Sequence, residues 1–526
     1  MRREPEAPVE AIVVGSGASG GFAAKALTAH GLRVLLLEAG RALDERADFP
    51  HPAPDESPLL ARARAGLAGQ AVQMRCPAFN ARTQRFFVDD RENPYTTPPG
   101  QPFNWFRGRQ VGGRLHAWAR VAVRLTDLEL AAASRDGHGV DWPLSYAELE
   151  PYYDEVESFL RLDESAAPNA REQAFATLVE AAFPERRVLP ARLVRHDNGR
   201  TPPALRAAQA TGLLALRPDA VVERVTVDPA SGRATGVAFV DRTTRRRTEA
   251  RAELVVLCAS TIETLRILLN SACRSHPRGL GNSSGRLGQG LMDHVLVGLG
   301  GPLPDAGFRD EEDGDPYDFG RVTGFAVPRF RNVDTTHPGF LRGYSLQGAI
   351  GRGARRWYLL AHGEMLARSA NTVILDPRRR DAWGIPAANI RCGFSTNETA
   401  MAADALATIR ELAAVAGLRV RTPPSGKLLE TAAYRLWRRR VVGPSGAFLP
   451  GSAIHETGGA PLGDDPVTSV LNRFGQCWDA PNVVVADGAC FPSGCSQNVT
   501  LTLMALATRA CDHVARRYRA GQLTRA

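Results

Sequence analysis

Lysine is almost absent from this chain of 526 residues, since only Lys25 and Lys427 occur and the other 63 of its 65 basic residues are arginine. This one-sided choice indicates a codon bias toward arginine rather than selection for phosphate binding, although the net charge is +9. The dense basic runs, at 245–247, 378–380 and 438–440, are short, scattered and free of the interleaved aromatics that bind single-stranded nucleic acids. We therefore interpret each run as a solvated face and expect no nucleic-acid partner.

Closely spaced cysteines are also missing. The eight cysteines include no C-x-x-C pair and no Cys/His spacing typical of metal ligands. This pattern predicts free thiols in a reducing compartment, and no metal site is expected.

Long apolar runs are missing too, because none approaches the roughly 18–20 residues of a membrane span. The first residues, Met1-Arg2-Arg3, lead within a few polar residues into a predicted strand rather than into a signal-type apolar segment. We therefore expect a cytoplasmic protein without a membrane span. The composition, 44% hydrophobic and 23% charged, is that of an ordinary globular protein.

A dinucleotide-binding pattern stands near the start of the chain. A β-branched run at 9–14 precedes the glycine-rich Gly15-Ser16-Gly17-Ala18-Ser19-Gly20, which opens a helical stretch, and a second apolar run ends before Glu38. The glycines permit a tight turn and a close approach of a pyrophosphate to the helix N-terminus, while a carboxylate at the second strand end accepts from ribose hydroxyls. The pattern predicts a βαβ unit that begins a parallel sheet. A glycine-rich surface loop would leave Glu38 unexplained.

The fingerprint alone does not choose between NAD and FAD. Glu38 argues against NADP, because a carboxylate repels a 2′-phosphate. The glycine-rich stretches at 279–290 and 348–353 lack the flanking strand and helix of a second fingerprint. One dinucleotide therefore has to carry all of the electron transfer.

The remaining elements are predicted from pattern and turn chemistry. Ser145 and Glu148 form a capping box at the start of an amphipathic helix that ends near 162. Strands are predicted at 220–227, 234–241, 253–258, 324–327, 371–375, 390–394 and 483–486, the first two as a hairpin, with helices at 401–416 and 500–517. The segment 41–106 is predicted to be an extended excursion packed over another part of the molecule, and the acidic segment 301–320 a lid or exposed crossover.

Two C-terminal stretches carry further candidate residues. His455 lies in the glycine-rich HETGGAPLG, and Asp487-Gly488 ends a predicted strand. Asn498 and Thr500 stand at the head of the last helix, where they could contact the ribitol or phosphates of a flavin.

Together these stretches resemble the glucose-methanol-choline oxidoreductase family, and within it a bacterial branch similar to pyranose and glycoside oxidases and gluconate dehydrogenase large subunits. The resemblance extends in order from residue 9 to residue 517. The matching text is VVGSGASGGFAAKAL, LLLEAG, NPYTTPPGQPFNWFRGRQVGGRLHAW, DWPLSYAELEPYYDEVE, NSSGRLGQGLMDH, NTVILDPRRRDAWGIP, HETGG, VTSVLN, VADGACFPSG and NVTLTLMALA.

The resemblance implies an α/β (α+β) fold with an FAD domain of the two-dinucleotide-binding type that contains the Rossmann-like βαβ unit. It also implies a discontinuous substrate domain whose antiparallel sheet roofs the flavin. The expected boundaries are 1–140, 200–298 and 453–526 for the FAD-binding domain, and 141–199 and 299–452 for the substrate-binding domain.

The implied activity is oxidation of an alcohol, a hydroxyl of a sugar, glycoside or polyol, with O2 or another electron acceptor. His455 matches the family histidine that takes the hydroxyl proton, and Asn498 matches the residue that donates to the same oxygen while hydride passes to flavin N5. The cofactor-binding candidates are Gly15, Gly17, Ser19, Gly20, Glu38, Arg109, Gly113, Trp118, Val222, Asp487, Gly488, Asn498 and Thr500. Asp293-His294 is interpreted as part of the flavin-domain framework.

The chain departs from the family pattern at several points. Where relatives usually read H-x-x-G-T and R-M-G, this chain has Gly459 and Pro461-Leu462-Gly463, and where they read N-P-T it has Asn498-Val499-Thr500. These departures affect the expected substrate pose more than the chemistry. An FAD-containing lyase, a tailoring oxidase for a non-sugar alcohol, and a non-catalytic partner protein are the alternatives. The intact glycine loop and the presence of both His455 and Asn498 favour alcohol oxidation.

The flavin is predicted to be bound without a covalent link. Some relatives tether it through a histidine directly before a tryptophan, and alignment on Trp118 puts Ala117 at that position. His116 lies one residue away and, in an extended segment, its side chain would point to the opposite side.

Overall fold

The computed structural model describes residues 8–50, 58–163, 167–194, 200–303, 323–352, 356–420 and 438–523. The strands are β1 (Ala11–Val14), β2 (Val34–Leu37), β3 (Leu162–Asp163), β4 (Leu189–Pro190), β5 (Leu193–Val194), β6 (Leu214–Arg217), β7 (Ala220–Val227), β8 (Ala234–Asp241), β9 (Arg247–Arg251), β10 (Leu254–Leu257), β11 (Gln289–Met292), β12 (His294–Pro302), β13 (Phe325–Val327), β14 (Tyr344–Ile350), β15 (Arg356–Glu364), β16 (Thr372–Arg380), β17 (Pro386–Arg391), β18 (Thr457–Gly459) and β19 (Val483–Val485). The helices are α1 (Ala18–Ala29), α2 (Glu45–Asp48), α3 (Pro58–Leu67), α4 (Asp127–Leu130), α5 (Ala132–Asp136), α6 (Tyr146–Leu160), α7 (Ala170–Ala182), α8 (Pro203–Ala210), α9 (Thr261–Asn270), α10 (Thr396–Val415) and α11 (Thr500–Arg519).

A parallel five-stranded sheet with the order β19-β10-β1-β2-β6 forms the first part of the core. Strands β1, β10 and β19 are short runs of Val, Leu, Ile and Ala that are buried along their whole length, as expected for a parallel sheet covered on both faces. Helix α1 connects β1 to the parallel neighbour β2 and packs against α8 and α11. The predicted Rossmann-like βαβ unit is therefore confirmed.

An antiparallel sheet with the order β12-β15-β14-β13-β4 forms the second part. Side chains on strands alternate between the two faces of a sheet. Val295, Val297, Leu359 and Ala361 belong to a second hydrophobic cluster with residues of α10, which packs against β12 and β15. The opposite face, with residues such as Leu360, lines a large cavity. The predicted mixed α/β fold with an antiparallel sheet is confirmed.

Smaller sheets complete the fold, namely β7-β8-β9, β17-β16-β11-β18 and the pair β3-β5. The predicted hairpin is β7 with β8, and the capping box of Ser145 and Glu148 is present at the start of α6. Helix α10 begins before its predicted start, because Ser395 and Glu398 form a capping box that the prediction overlooked. Strand β16 extends to Arg380, beyond its predicted end, since the pairing with β17 resumes after an irregularity.

Two predictions, on the acidic segment and on the domain boundaries, are not tested by the structure. Residues 304–322, which hold most of the acidic segment at 301–320, lie outside the described residues. The division into two discontinuous domains stays a prediction. In the described part of the chain, no helix is both long and apolar enough to cross a membrane.

Candidate active site

A cavity of about 1370 Å³ lies between the carboxyl ends of the parallel strands and the antiparallel sheet. Its walls include most of the candidate residues from both ends of the chain. Those that line it are Gly15, Gly17, Ser19, Glu38, Arg109, Gly113, Trp118, Val222, His455, Asp487, Gly488, Asn498 and Thr500. The segment 41–106, which was predicted only to pack over another part of the molecule, also contributes to the cavity walls through residues such as Asn80 and Phe106.

The turn between β1 and α1 presents an open helix N-terminus to the cavity. Gly15 has φ +95°, a conformation that favours glycine. Gly17 occupies the N-cap position of α1 but provides no side-chain hydrogen bond to the free N–H groups there. A Cβ built on Gly17 would meet nothing within 4 Å. Backbone amides at an uncapped helix start are suited to an anionic group such as a pyrophosphate.

Gly20 has a different position from the other glycines of the turn, because it does not line the cavity. A Cβ on Gly20 would lie 1.8 Å from the carbonyl oxygen of Gly15. Glycine is therefore needed here to let α1 pack closely on the turn, which is a structural requirement of the fingerprint rather than a cofactor contact.

Glu38 closes the same end of the cavity. One carboxylate oxygen accepts from the backbone N–H of Ser16 at 3.0 Å and from its hydroxyl at 2.6 Å, and the other accepts from the N–H of Gly40 at 2.8 Å. Burial raises the pKa of Glu38, while these hydrogen bonds and Arg109 oppose the rise. The network holds the carboxylate at the end of β2, where a ribose would be bound.

Arg109 and Asp487 are held by hydrogen-bond partners on α9. Arg109 donates to Glu263 at 2.6 Å, and Asp487 accepts from the hydroxyl of Thr264 at 2.5 Å. Burial raises the pKa of Asp487 to about 6. A Cβ on Gly488 would lie 2.4 Å from the hydroxyl of Thr261, so only glycine fits at this crossing.

His455 sits on a loop that is fixed by Asp293. The Asp293 carboxylate accepts backbone N–H groups of Gly451 at 2.7 Å, Ala453 at 3.2 Å and His455 at 3.1 Å. The framework role predicted for Asp293 agrees with these contacts. Burial lowers the pKa of the His455 imidazole to about 3, with further lowering by His362 and Arg114, so the ring is neutral at ordinary pH.

Two further histidines lie beside His455, namely His294, which the sequence analysis assigned to the flavin-domain framework, and His362, which it did not select. The Nδ1 atom of His294 is 3.0 Å from the Nδ1 atom of His455, and the ring of His362 has its centroid 6.0 Å from that of His455. Burial lowers the pKa of His362 to about 4. The adjacent Asp293-His294 was the only signal in the sequence, and His362 lies in a strand without a recognisable motif.

Asn498 is oriented by another residue that the sequence did not reveal. The side-chain amide of Gln347, on β14, donates to the Oδ1 atom of Asn498. The Nδ2 group of Asn498 makes no hydrogen bond with any described residue and is left available as a donor at the cavity wall. Gln347 lies 151 residues away in the chain, which is why no local pattern could indicate it.

The segment before Trp118 has a conformation that differs from the predicted one. Gly113–Ala117 is a 3-10 helix rather than an extended stretch, so the argument from strand alternation is wrong. His116 nevertheless lies away from the cavity walls, with its Nε2 atom 2.8 Å from the carbonyl oxygen of Val111 and its ring against Phe49 and Phe86. Ala117 and Trp118 themselves line the cavity.

These residues fit FAD. The open start of α1 and the bare Gly17 suit the pyrophosphate, Glu38 suits the adenosine ribose, and Asp487 with the head of α11 lies at the same cavity. The volume exceeds the roughly 300–1,000 Å³ of common small-ligand pockets, as a dinucleotide plus a substrate requires.

Two segments of the chain, 196–296 and 367–507, match the family described as GMC oxidoreductase. The chain belongs to the GMC oxidoreductase family. As a GMC oxidoreductase it is an FAD-dependent enzyme that oxidises CH–OH groups, which confirms the predicted cofactor and reaction class.

Several known proteins are similar to this chain over nearly its whole length. It is 27% identical to 2-methyl-1,2-propanediol dehydrogenase of Mycolicibacterium austroafricanum, over 97% of this chain and 95% of that protein. It is 25% identical to the fructose dehydrogenase large subunit of Gluconobacter japonicus, over 96% of this chain and 97% of that protein. A formate oxidase variant from Aspergillus oryzae has the same fold, with a TM-score of 0.69, 14% identity, and coverage of 99% and 100% of the two chains.

Proposed function

We propose that this GMC oxidoreductase oxidises a hydroxyl of a polyol, sugar or glycoside to a carbonyl, with His455 as the general base and Asn498 as the hydrogen-bond donor to the reacting oxygen. The observation that carries the proposal is the meeting of these two side chains at one cavity. The Nε2 atom of His455 makes no hydrogen bond with any described residue. The base and the donor are therefore both free to act on a bound alcohol.

The protein side of the reaction follows from these groups. The neutral His455 accepts the hydroxyl proton at Nε2, and the Nδ2 group of Asn498 donates to the oxygen as negative charge develops there. Bound FAD supplies the hydride acceptor. Gln347 keeps the oxygen of the Asn498 side chain turned away from the substrate, since it donates to that oxygen.

The substrate class is supported by the face of the antiparallel sheet that lines the cavity. His362 lies on this face without a hydrogen bond to any described residue, and Gln347 projects from β14 on the same face. A substrate with several hydroxyls can satisfy such groups, whereas a simple alkanol leaves them unpaired. The relatives named above, a propanediol dehydrogenase and a fructose dehydrogenase subunit, act on hydroxylated compounds.

The test is anaerobic bleaching of the flavin in stopped flow. Wild-type protein is mixed with a panel of polyols, sugars, glycosides and simple alcohols, and the best substrate is then used with His455→Ala. Removal of a general base costs about 10²–10⁴-fold in rate, so reduction should slow by that factor while FAD stays bound.

The matched control is His337→Ala, which removes an imidazole that does not line the cavity. It should reduce at the wild-type rate. Unchanged reduction in His455→Ala would show that another group is the base, and bleaching by simple alkanols alone would overturn the proposed substrate class.

A further inference from the structure

The imidazole pair formed by His294 and His455 has an unusual hydrogen-bond requirement. Their two Nδ1 atoms are 3.0 Å apart, and the rings cross at 72° with centroids 4.8 Å apart. Burial lowers the pKa of both rings, so both imidazoles are neutral at ordinary pH. A neutral imidazole carries one N–H, so one Nδ1 atom of the pair has to donate and the other has to accept.

The two possible arrangements have opposite consequences for the base. If His455 carries its hydrogen on Nδ1 and donates to His294, the Nε2 atom of His455 has no hydrogen, and its lone pair is available at the cavity. If His294 donates instead, His455 carries its hydrogen on Nε2 and cannot take a proton from an alcohol.

The surroundings of His294 favour the first arrangement. Its Nε2 atom lies 3.9 Å from the Sγ atom of the buried Cys495, and the backbone of Cys495 raises the pKa of the His294 ring, as a hydrogen-bond acceptor does. Burial raises the pKa of the Cys495 thiol well above its usual value, so this neighbour is not a thiolate. The same thiol donates to the carbonyl oxygen of Gln497 at 3.3 Å, so its sulfur is left to accept a hydrogen on Nε2 of His294. This arrangement leaves Nδ1 of the His294 ring with a lone pair.

We propose that His294 is a positioning residue whose Nδ1 atom accepts from the Nδ1–H of His455 and so fixes the tautomer in which Nε2 of His455 can take the alcohol proton. The inference rests on the proposed role of His455. After the proton transfer, His455 carries hydrogens on both nitrogens, and the same hydrogen bond becomes charge-assisted and stronger.

The other ionisable groups around the pair do not replace His294. His362 faces both rings from β15, with centroids 5.7 Å from His294 and 6.0 Å from His455. Arg114 and Asp293 also face the loop of His455, but Arg114 donates to Glu456 at 2.8 Å and Asp293 accepts backbone N–H groups. Among the described residues, His294 is the only partner of the Nδ1 atom of His455.

The test compares three variants at position 294 in the FAD-loaded protein. In His294→Asn the amide oxygen can accept near the position of Nδ1. In His294→Gln the amide lies near the position of Nε2, and in His294→Leu no acceptor remains. Loss of the tautomer that serves as base should slow anaerobic flavin reduction about 10²-fold in His294→Leu and His294→Gln, whereas His294→Asn should stay within about tenfold of wild type.

The pH profile supplies a readout that a purely structural defect does not move. Between about pH 6 and pH 10 the wild-type rate should be flat, whereas the residual rate of His294→Leu should rise with pH because hydroxide takes over the role of the base. His362→Leu is the matched control, a buried imidazole on the same sheet face, and it should weaken substrate binding without a change in the pH profile.

The possible outcomes separate the role proposed for His294 from the role proposed for His455. Wild-type rates in His294→Leu and His294→Gln, or slow rates with a flat pH profile, would overturn the role of His294. If His294→Leu fails to load FAD, the comparison of His294→Asn with His294→Gln decides instead, and equal rates in these two variants reject the proposal. A wild-type rate in His455→Ala would reject the base itself, whereas slow His455→Ala with fast His294→Leu would reject only His294.

Discussion

Replacement of Gly17 by alanine should weaken FAD binding while the apoprotein remains folded. Gly17 caps α1 with φ −71° and ψ −155°, an extended conformation that alanine adopts, and an added Cβ would meet no protein atom within 4 Å. The new methyl group would project into the cavity at the open helix start. There it would occupy the space through which the backbone approaches the pyrophosphate.

The expected size follows from these contacts. Alanine at an N-cap position costs under about 1 kcal/mol relative to glycine. A pyrophosphate displaced from the helix start loses a charge-assisted hydrogen bond, which is worth about 1.5–3 kcal/mol. The dissociation constant for FAD should therefore rise about 10- to 100-fold.

Gly20→Ala provides the opposite case, because its Cβ would lie 1.8 Å from the carbonyl oxygen of Gly15. The clash involves two backbone segments, so α1 has to move away from the turn. The free energy of unfolding of the apoprotein should fall by about 1–3 kcal/mol or more. Gly393→Ala, at a glycine outside the cavity with no atom within 4 Å of the added Cβ, is the matched control.

The assay has two parts, thermal unfolding of the three apoproteins and titration of each with FAD followed by flavin fluorescence. The reasoning is refuted if Gly17→Ala binds FAD as tightly as Gly393→Ala. It is also refuted if Gly17→Ala destabilises the apoprotein as much as Gly20→Ala does.

Two further predictions concern His455 and the mode of FAD attachment. Because burial lowers the pKa of His455 to about 3, its neutral form persists in acid. The wild-type rate of flavin reduction should therefore stay constant from about pH 8 to about pH 5. A decline in this rate centred near the ordinary histidine pKa of about 6.5 would contradict the prediction. Acid precipitation should release FAD into the supernatant, since Ala117 offers no nucleophile and His116 packs against Phe49 and Phe86. Flavin fluorescence that stays on the denatured polypeptide band would show a covalent bond instead.

The sequence by itself determined the features whose causes are local. The β-branched run, the Gly15–Gly20 turn and Glu38 specify a βαβ unit within about thirty residues, because each requirement is met by neighbours in the chain. The capping box of Ser145 and Glu148 likewise places a helix start correctly. His455 and Asn498 were selected one at a time, each from the motif around it.

Only the tertiary structure brought together the groups that act on one another in the cavity. His294 meets His455 across 161 residues, and Gln347 meets Asn498 across 151. These contacts depend on which residues of β12, β14 and β15 face the cavity. A shift of one residue in the register of a strand would turn its side chains to the opposite face.

The segment at 113–117 shows the same limit on a smaller scale. Its glycines have left-handed φ angles of +89° and +54° at Gly112 and Gly113, which turn the chain into a 3-10 helix before Trp118. The sequence analysis treated this segment as extended, but the direction of the His116 side chain was decided by the buried Phe86 and the carbonyl of Val111 against which it packs. Local sequence sets which conformations are possible, and packing with distant residues selects among them.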